Sequence, residues 1–120
     1  MQKKLVRTKE EVTTCYLLRQ AFSRSCLYWG TLRRVKIASD QYKCEKCGGV
    51  FRLREVAVDH KVPVVDTEKG WEGITVFAAR LFCDMSNLWV LCRDNCHSRK
   101  TQKENKVRKA QKNLTGKERT

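Results

Sequence analysis

Several features that would each indicate another class of protein are scarce in this sequence. Its 120 residues contain no apolar run of 18 residues, so we expect no membrane-spanning helix. The amino terminus is charged and no apolar stretch follows it, so we expect no secretory signal. There is one proline, Pro63, and there are two histidines, His60 and His97. Chemistry that needs an imidazole therefore has only two positions at which to occur.

Cysteine, in contrast, is abundant. The chain has seven cysteines, an odd number, and 41% apolar residues, which is enough for a modest core in one domain. Without a secretory signal, that count favours metal binding in a reducing cytoplasm over a disulfide framework. A structural zinc ion is a common source of stability for a small core.

Positive charge is concentrated at the two ends of the chain. The net charge is +13; residues 1–40 carry nine Lys/Arg and three Asp/Glu, residues 41–97 carry eight of each, and residues 98–120 carry nine and two. Two basic arms around a neutral centre are typical of a protein that binds a polyanion, because lysine and arginine neutralise phosphates. Solubility alone would be the simpler explanation.

The apolar spacing predicts mainly helices in the first third of the chain and strands in the middle. A helix of roughly 20 residues is expected after an N-cap at Thr8, ending near Gly30. The other predicted elements are a short helix at 31–38, a strand at 50–58, a helix at 71–82, a strand at 88–92 and a helix from about 94 to 110. We divide the chain into a basic helical region at 1–40, a central domain at 41–110 and a flexible basic tail at 111–120.

Four cysteines are candidates for one zinc site. Cys44 and Cys47 form a Cys-x2-Cys turn followed by two glycines, a spacing that points two thiolates at one metal ion. Cys92 and Cys96 are the best candidates for the other two ligands. Two alternatives stay open: four free thiols, or a site in which Cys83 or His97 replaces one cysteine.

The remaining three cysteines are weaker candidates for metal binding. Cys15 and Cys26 fall on or near the apolar stripe of the first predicted helix, where cysteine usually serves as a small buried hydrophobic residue. Cys83 has no cysteine two or three residues away, so it is a weak candidate ligand.

Asp59, His60 and His97 could carry hydrolytic chemistry. A neutral imidazole can take a proton from water, while a carboxylate oxygen and a second imidazole can hold a divalent cation. Adjacent side chains of a strand face opposite sides, so Asp59 and His60 can do separate tasks. A carboxylate with water and phosphate oxygens suits Mg²⁺, Mn²⁺ or another divalent ion.

The full constellation resembles the HNH endonuclease family, of the zinc-stabilised type common in bacteriophage genomes. The elements are Cys-x2-Cys, then Asp-His-x2-Pro, Asn-Leu-x2-Leu-Cys and Cys-His-x2-Lys-Thr, within residues 42–101. The resemblance implies an α+β fold with a ββα-metal core, preceded here by an N-terminal helix. It implies His60 as general base, Asn87 as the residue that orients it, and Asp59 and His97 as ligands of the catalytic ion.

The resemblance also implies contacts with DNA and one departure from the family pattern. Lys100 matches a lysine that contacts phosphate, although a solvated helix residue is the simpler interpretation; Asn87 could likewise be only a turn former. We further assign DNA binding to Arg99, Arg33 and Arg34. The family usually has Cys-x2-Cys-His where this chain has Cys92-x3-Cys96-His97, so we expect a distorted zinc site or a different first helical turn.

The predicted function is hydrolysis of DNA phosphodiester bonds, giving 5′ phosphate and 3′ hydroxyl ends as the resemblance implies. Two alternatives stay open: a non-catalytic zinc module that binds nucleic acid, and a nuclease that needs phage or host protein partners in a packaging or recombination complex. We expect a cytoplasmic location, which is the host cytoplasm if a phage encodes the protein.

Overall fold

The computed structural model describes residues 5–117 of an α+β protein. Within these residues two helices come first, four strands and a third helix follow, and a fifth strand precedes a long fourth helix. The strands form a three-stranded and a two-stranded sheet. The helices are α1 (Lys9–Ser23), α2 (Cys26–Val35), α3 (Ile74–Leu81) and α4 (Ser98–Lys117). The strands are β1 (Lys36–Ala38), β2 (Gln41–Lys43), β3 (Val50–Phe51), β4 (Val56–His60) and β5 (Leu88–Cys92).

The first helix is shorter than the sequence predicts. Thr8 is its N-cap, as expected, and forms a capping box in which Thr8 and Glu11 each accept a hydrogen bond from the other's backbone N–H. The prediction of one helix to Gly30 is wrong because α1 ends at Ser23. Ser25 then caps α2 by accepting a hydrogen bond from the backbone of Tyr28. Apolar periodicity continues across both helices, so it did not reveal the break.

The predicted strand over residues 50–58 is two strands in different sheets. A 3₁₀ turn at Leu53–Glu55 separates β3, which pairs with β2, from β4, which pairs with β5. β1 and β2 also pair, where the sequence predicted part of a short helix at 31–38. The β4–β5 pairing is antiparallel, with Val56 opposite Cys92 and His60 opposite Leu88.

Side chains of β4 contact both the amino-terminal helices and α4. Val58 and His60, on one face of β4, lie against the α1–α2 layer, and the His60 ring lies 5.1 Å from that of Phe22 between centroids. Asp59 points to the other face, where it contacts Lys100 of α4. His60 and Asp59 therefore have different contacts, although both border one cavity at the end of β4.

The last turn of α3 places the carbonyl oxygen of Leu81 beside His60. Helix α3 begins after Gly73, whose φ of 99° is accessible mainly to glycine, so the helix predicted at 71–82 is shorter than expected. Phe77 and Leu81 are buried against α1 and β5. This packing brings the last turn of α3 to the end of β4.

The carboxy-terminal region begins with a π-helical turn at Arg93–His97 and continues as α4. The helix extends through Lys117, beyond the predicted end at residue 110, and so includes most of the segment predicted as a flexible tail. Residues 118–120 of that segment lie outside the described residues. None of the helices described combines the length and apolarity that crossing a bilayer requires.

Candidate metal centre and adjoining cavity

Four cysteines from two distant segments converge in the structure. Cys44 and Cys47 lie in the turn between β2 and β3, Cys92 ends β5, and Cys96 lies in the π-helical turn. Their four sulfur atoms all lie within 4.8 Å of one another, and the Sγ atoms of Cys47 and Cys92 are 4.0 Å apart. Zinc with bonds of about 2.3 Å to four thiolates would need separations of about 3.8 Å. The cluster is therefore compatible with a structural zinc ion.

Backbone N–H groups surround the cluster and favour thiolate formation. Burial raises the pKa of Cys44, but N–H groups of Cys47, Cys92 and Lys46 outweigh it and lower that pKa to about 6. Burial and the neighbouring thiols raise the pKa of Cys96 to about 12. One thiolate forms readily and further ones are costly without a cation, as expected where a metal must neutralise several sulfurs.

The π-helical turn accommodates the extra residue between Cys92 and Cys96. A π turn holds one residue more than an α turn, so both sulfur atoms still reach the cluster. Of the two expected outcomes, the structure has a different first helical turn. The alternative sites are not formed: Cys83 packs in the other core cluster, and neither it nor His97 belongs to the sulfur group.

The two cysteines of the amino-terminal helices differ from each other. Cys15 is buried in the core with Phe22, as the sequence predicts. The same prediction is wrong for Cys26, which is exposed at the first position of α2. The break between the helices turns Cys26 out of the apolar stripe.

His60 is buried at the end of β4, where its ring has one hydrogen-bond partner among the described residues. Its Nε2 lies 2.9 Å from the carbonyl oxygen of Leu81. A carbonyl only accepts, so Nε2 carries the hydrogen and Nδ1 is the nitrogen left to accept a proton. Burial lowers the pKa of His60, opposed by the Leu81 carbonyl and by Asp59. The imidazole is therefore neutral near pH 7.

Asn87 accepts two hydrogen bonds from the segment that follows His60. Its backbone oxygen accepts a hydrogen bond from the N–H of Lys61 at 2.8 Å, and its Oδ1 accepts one from the N–H of Val62 at 3.1 Å. Both donors directly follow the histidine in sequence. Asn87 is thus placed to hold the backbone from which the imidazole projects.

Asp59 and Lys100 form an ion pair on the opposite face of β4. The Nζ of Lys100 lies 2.9 Å from Oδ2 of Asp59 and also contacts Glu104, one turn further along α4. Burial by itself lowers the pKa of Lys100, but the two carboxylates outweigh it and raise the pKa. The lysine predicted to contact phosphate is therefore held between two acids.

His97 is half-buried at the end of the π-helical turn. It lies three residues before Lys100, so both point to the same side of the helix, but it does not line the cavity that contains Asp59. In the part of the chain that is described, the four cysteines form the one close group of three or more His, Cys, Asp or Glu ligand atoms. Asp59 and His97 belong to no such group among the described residues.

A cavity of about 380 Å³ opens beside Asp59 and His60. Its charged lining contains two acids and four bases. The residues around it are Arg7, Arg19, Asp59, His60, Pro63, Val64, Val65, Lys100, Glu104 and Arg108. The three arginines come from the segment before α1, from α1 and from α4, and in the sequence only the positive charge of the two arms indicates them.

The residues predicted to contact DNA are not gathered around this cavity, apart from Lys100. Arg33 and Arg99 are exposed. Arg34 is bound to the protein itself, because its Nη2 lies 2.6 Å from Oε1 of Glu45 and 2.8 Å from the carbonyl oxygen of Leu88. Arg34 therefore joins α2 to the β2–β3 turn and to β5.

No protein-family model matches the chain, and comparison with curated proteins and with solved structures gives no match.

Proposed function

We propose that the protein is a zinc-stabilised endonuclease of the HNH type that hydrolyses DNA phosphodiester bonds. The observation that carries this proposal is the setting of His60: its Nε2 is bound to a carbonyl oxygen, and the ring lines a basic cavity beside a carboxylate. In this proposal β4, β5 and α4 are the ββα core, and the cysteine cluster holds zinc at the end of the ribbon remote from His60.

His60 is suited to act as the general base. Its Nε2–H is used by the Leu81 carbonyl, so the ring orientation is set and Nδ1 is the basic atom. A lowered pKa keeps that atom unprotonated at neutral pH. Asn87 holds the backbone on the carboxyl side of the histidine and thus positions the base.

In this proposal Asp59 binds a divalent cation weakly. Its carboxylate is paired with the ammonium of Lys100, which the ion would displace. His97, at the end of the π-helical turn before α4, would provide a nitrogen ligand in this proposal, with water and phosphate oxygens as the remaining ligands. A divalent ion held there would stabilise the negative charge that develops on the phosphoryl oxygens. Lys100 would then be released from Asp59.

The reaction assigned to these groups is an in-line hydrolysis. Nδ1 of His60 takes one proton from water, and the resulting hydroxide forms a bond to phosphorus. The bond from phosphorus to the 3′ oxygen breaks, and that oxygen gains a proton from solvent. The products are a 5′ phosphate and a 3′ hydroxyl, and the cationic lining of the cavity favours the transition state, which carries more negative charge than the substrate.

The test is cleavage of supercoiled plasmid by the zinc-loaded protein with Mg²⁺ or Mn²⁺ added separately. His60→Gln is the informative variant because its amide can still donate to Leu81 but has no basic nitrogen. We expect cleavage to fall about 10²–10⁴-fold with DNA affinity retained. Gln102→Ala, an exposed change on α4, is the control. Equal cleavage by His60→Gln and the wild-type protein would overturn the proposal.

One observation favours a non-catalytic nucleic-acid-binding module instead. The contacts of Lys100 with Asp59 and Glu104 satisfy both carboxylates without a metal ion. A binder of this kind would retain its DNA affinity in divalent-free buffer and would give no nicked or linear plasmid with either ion. Its cysteine centre would still be required for folding.

A further inference from the structure

We propose that Arg7, Arg19 and Arg108 together form a phosphate-binding site in the cavity beside His60. The ligand class is a phosphate group, carried either by a nucleic-acid backbone as a diester or by a small molecule as a free phosphate or monoester. The inference goes beyond the nuclease proposal, because a non-catalytic binder would use the same site.

The three guanidinium groups lack acidic partners within the described part of the chain. The two carboxylates that line the cavity, Asp59 and Glu104, are both in contact with Lys100. No ion pair involves any of the three arginines among the described residues. The lining therefore carries more positive than negative charge, and the excess belongs to the arginines.

Two of the arginines are held in place by adjacent aromatic rings. The guanidinium carbon of Arg7 lies 4.6 Å from the ring centroid of Trp71, and that of Arg19 lies 5.2 Å from the centroid of Phe77. The two rings are themselves 5.8 Å apart between centroids. Stacking on neighbouring rings brings like charges together and leaves the N–H edges of both groups available to an anion.

Arg108 reaches the same cavity from α4. Its Nη2 lies 3.2 Å from the carbonyl oxygen of Val65 and its Nη1 lies 3.3 Å from Oδ1 of Asn105. Both acceptors are neutral, so these contacts position the guanidinium without cancelling its charge. A guanidinium has five N–H donors, and several remain for a ligand.

The three charges are close enough to interact unfavourably. Partial burial lowers the pKa of Arg19, and the charges of Arg7 and Arg108 lower it further, opposed by Cys15. A cluster of like charges held by aromatic rings and carbonyls has a cost in the free protein. The oxygen atoms of a phosphate bound between the three guanidinium groups would offset that repulsion by accepting charge-assisted hydrogen bonds.

Calorimetric titration with inorganic phosphate and with a dinucleoside monophosphate tests the site, in divalent-free buffer at constant ionic strength. We expect saturable binding of at least one probe, weakened about tenfold or more by Arg19→Gln and by Arg7→Gln. Arg7→Gln lies outside the helices and serves if Arg19→Gln disturbs folding. Arg24→Gln is the matched control, an exposed arginine on the same helix end, and should change affinity less than about twofold.

The comparison of probes identifies the source of the phosphate. Tighter binding of the dinucleoside monophosphate indicates a nucleic-acid backbone, and tighter binding of inorganic phosphate indicates a free phosphate or monoester. Binding of neither probe, or equal weakening by Arg24→Gln, would overturn the proposal. Binding that persists in His60→Gln while no plasmid is cut by the wild-type protein would refute the nuclease function but not this site.

Discussion

The cysteine centre and the cavity beside His60 lie toward opposite ends of the same two-stranded ribbon. Cys92 is opposite Val56 at one end, and His60 is opposite Leu88 at the other. The cysteine centre has four equivalent ligands in two short motifs. The cavity takes its charged residues from the segment before α1, from α1, from β4 and from α4.

The difference between them lies in how much of each site is local in sequence. A Cys-x2-Cys turn presents two sulfurs through backbone geometry alone, so its spacing is informative wherever it occurs. The arginines of the cavity obtain their positions from aromatic rings and carbonyls far along the chain. We therefore expect the cysteine centre to control folding and, under the proposed function, the open cavity to control binding and catalysis.

The largest effect is expected for Cys44→Ser. A structural zinc site contributes about 10–16 kcal/mol in small domains, comparable with or above a typical total stability of about 5–15 kcal/mol. The variant should lose zinc and cooperative unfolding, measured by metal content and circular dichroism. Cys26→Ser, at an exposed cysteine, is the control and should keep both. A normally folded Cys44→Ser protein with a wild-type melting temperature would contradict a structural metal role.

Removal of metal in two steps should separate the two regions. Gel filtration into divalent-free buffer should abolish cleavage while zinc content and the circular dichroism spectrum stay unchanged, because the proposed ion site of Asp59 and His97 would have two protein ligands, against four thiolates for zinc. Exhaustive chelation of zinc should then unfold the protein. Loss of structure at the first step, or cleavage that survives it, would argue against a weakly held catalytic ion.

A smaller effect is expected for Asn87→Ala. The variant loses the acceptor for the N–H of Val62, which should cost about 1 kcal/mol of stability and slow cleavage about tenfold by loosening the backbone after His60. Asn87→Asp keeps an acceptor oxygen and is the control. The two quantities are measured by denaturant unfolding and by single-turnover cleavage. An unchanged cleavage rate in Asn87→Ala would leave the residue only a turn-forming role.

The smallest effect is a displacement of the pH profile. The sequence alone predicts that cleavage declines as pH falls below about 6.5, the ordinary imidazole value. Because burial lowers the pKa of His60, the neutral base should persist to lower pH than that. Single-turnover rates between about pH 5 and 8 measure this, with zinc content followed in parallel. A decline that begins above the ordinary imidazole pKa would contradict a buried neutral base.

The same shift has a consequence for stability. The folded-state pKa of His60 is lowered, so the unfolded chain binds more protons as pH falls through about 6.5. The contribution of His60 to stability is therefore full above that pH and declines below it. The difference in unfolding free energy between the wild-type protein and His60→Gln should be smaller in acid than at neutral pH. This comparison needs no nuclease activity.

The secondary structure was predictable where the local signal was complete. Thr8 with Glu11 supplied a capping box, and the apolar run at β5 was assigned with its observed bounds. The break between α1 and α2 was missed because apolar periodicity does not register a helix boundary at Ser25. The prediction of a single strand at 50–58 is wrong because a 3₁₀ turn interrupts it, and the residues of that turn are also compatible with a strand.

The sequence by itself determined the chemistry that depends on neighbouring positions: the cysteine pairs, the adjacent acid and imidazole of Asp59 and His60, and the two basic arms. Only the tertiary structure decided that Nε2 of His60 faces a carbonyl, that Lys100 neutralises Asp59, and that the cavity's excess charge comes from arginines remote in sequence. Local spacing sets which groups a short backbone segment can present, whereas strand register and helix packing set which groups from distant segments meet.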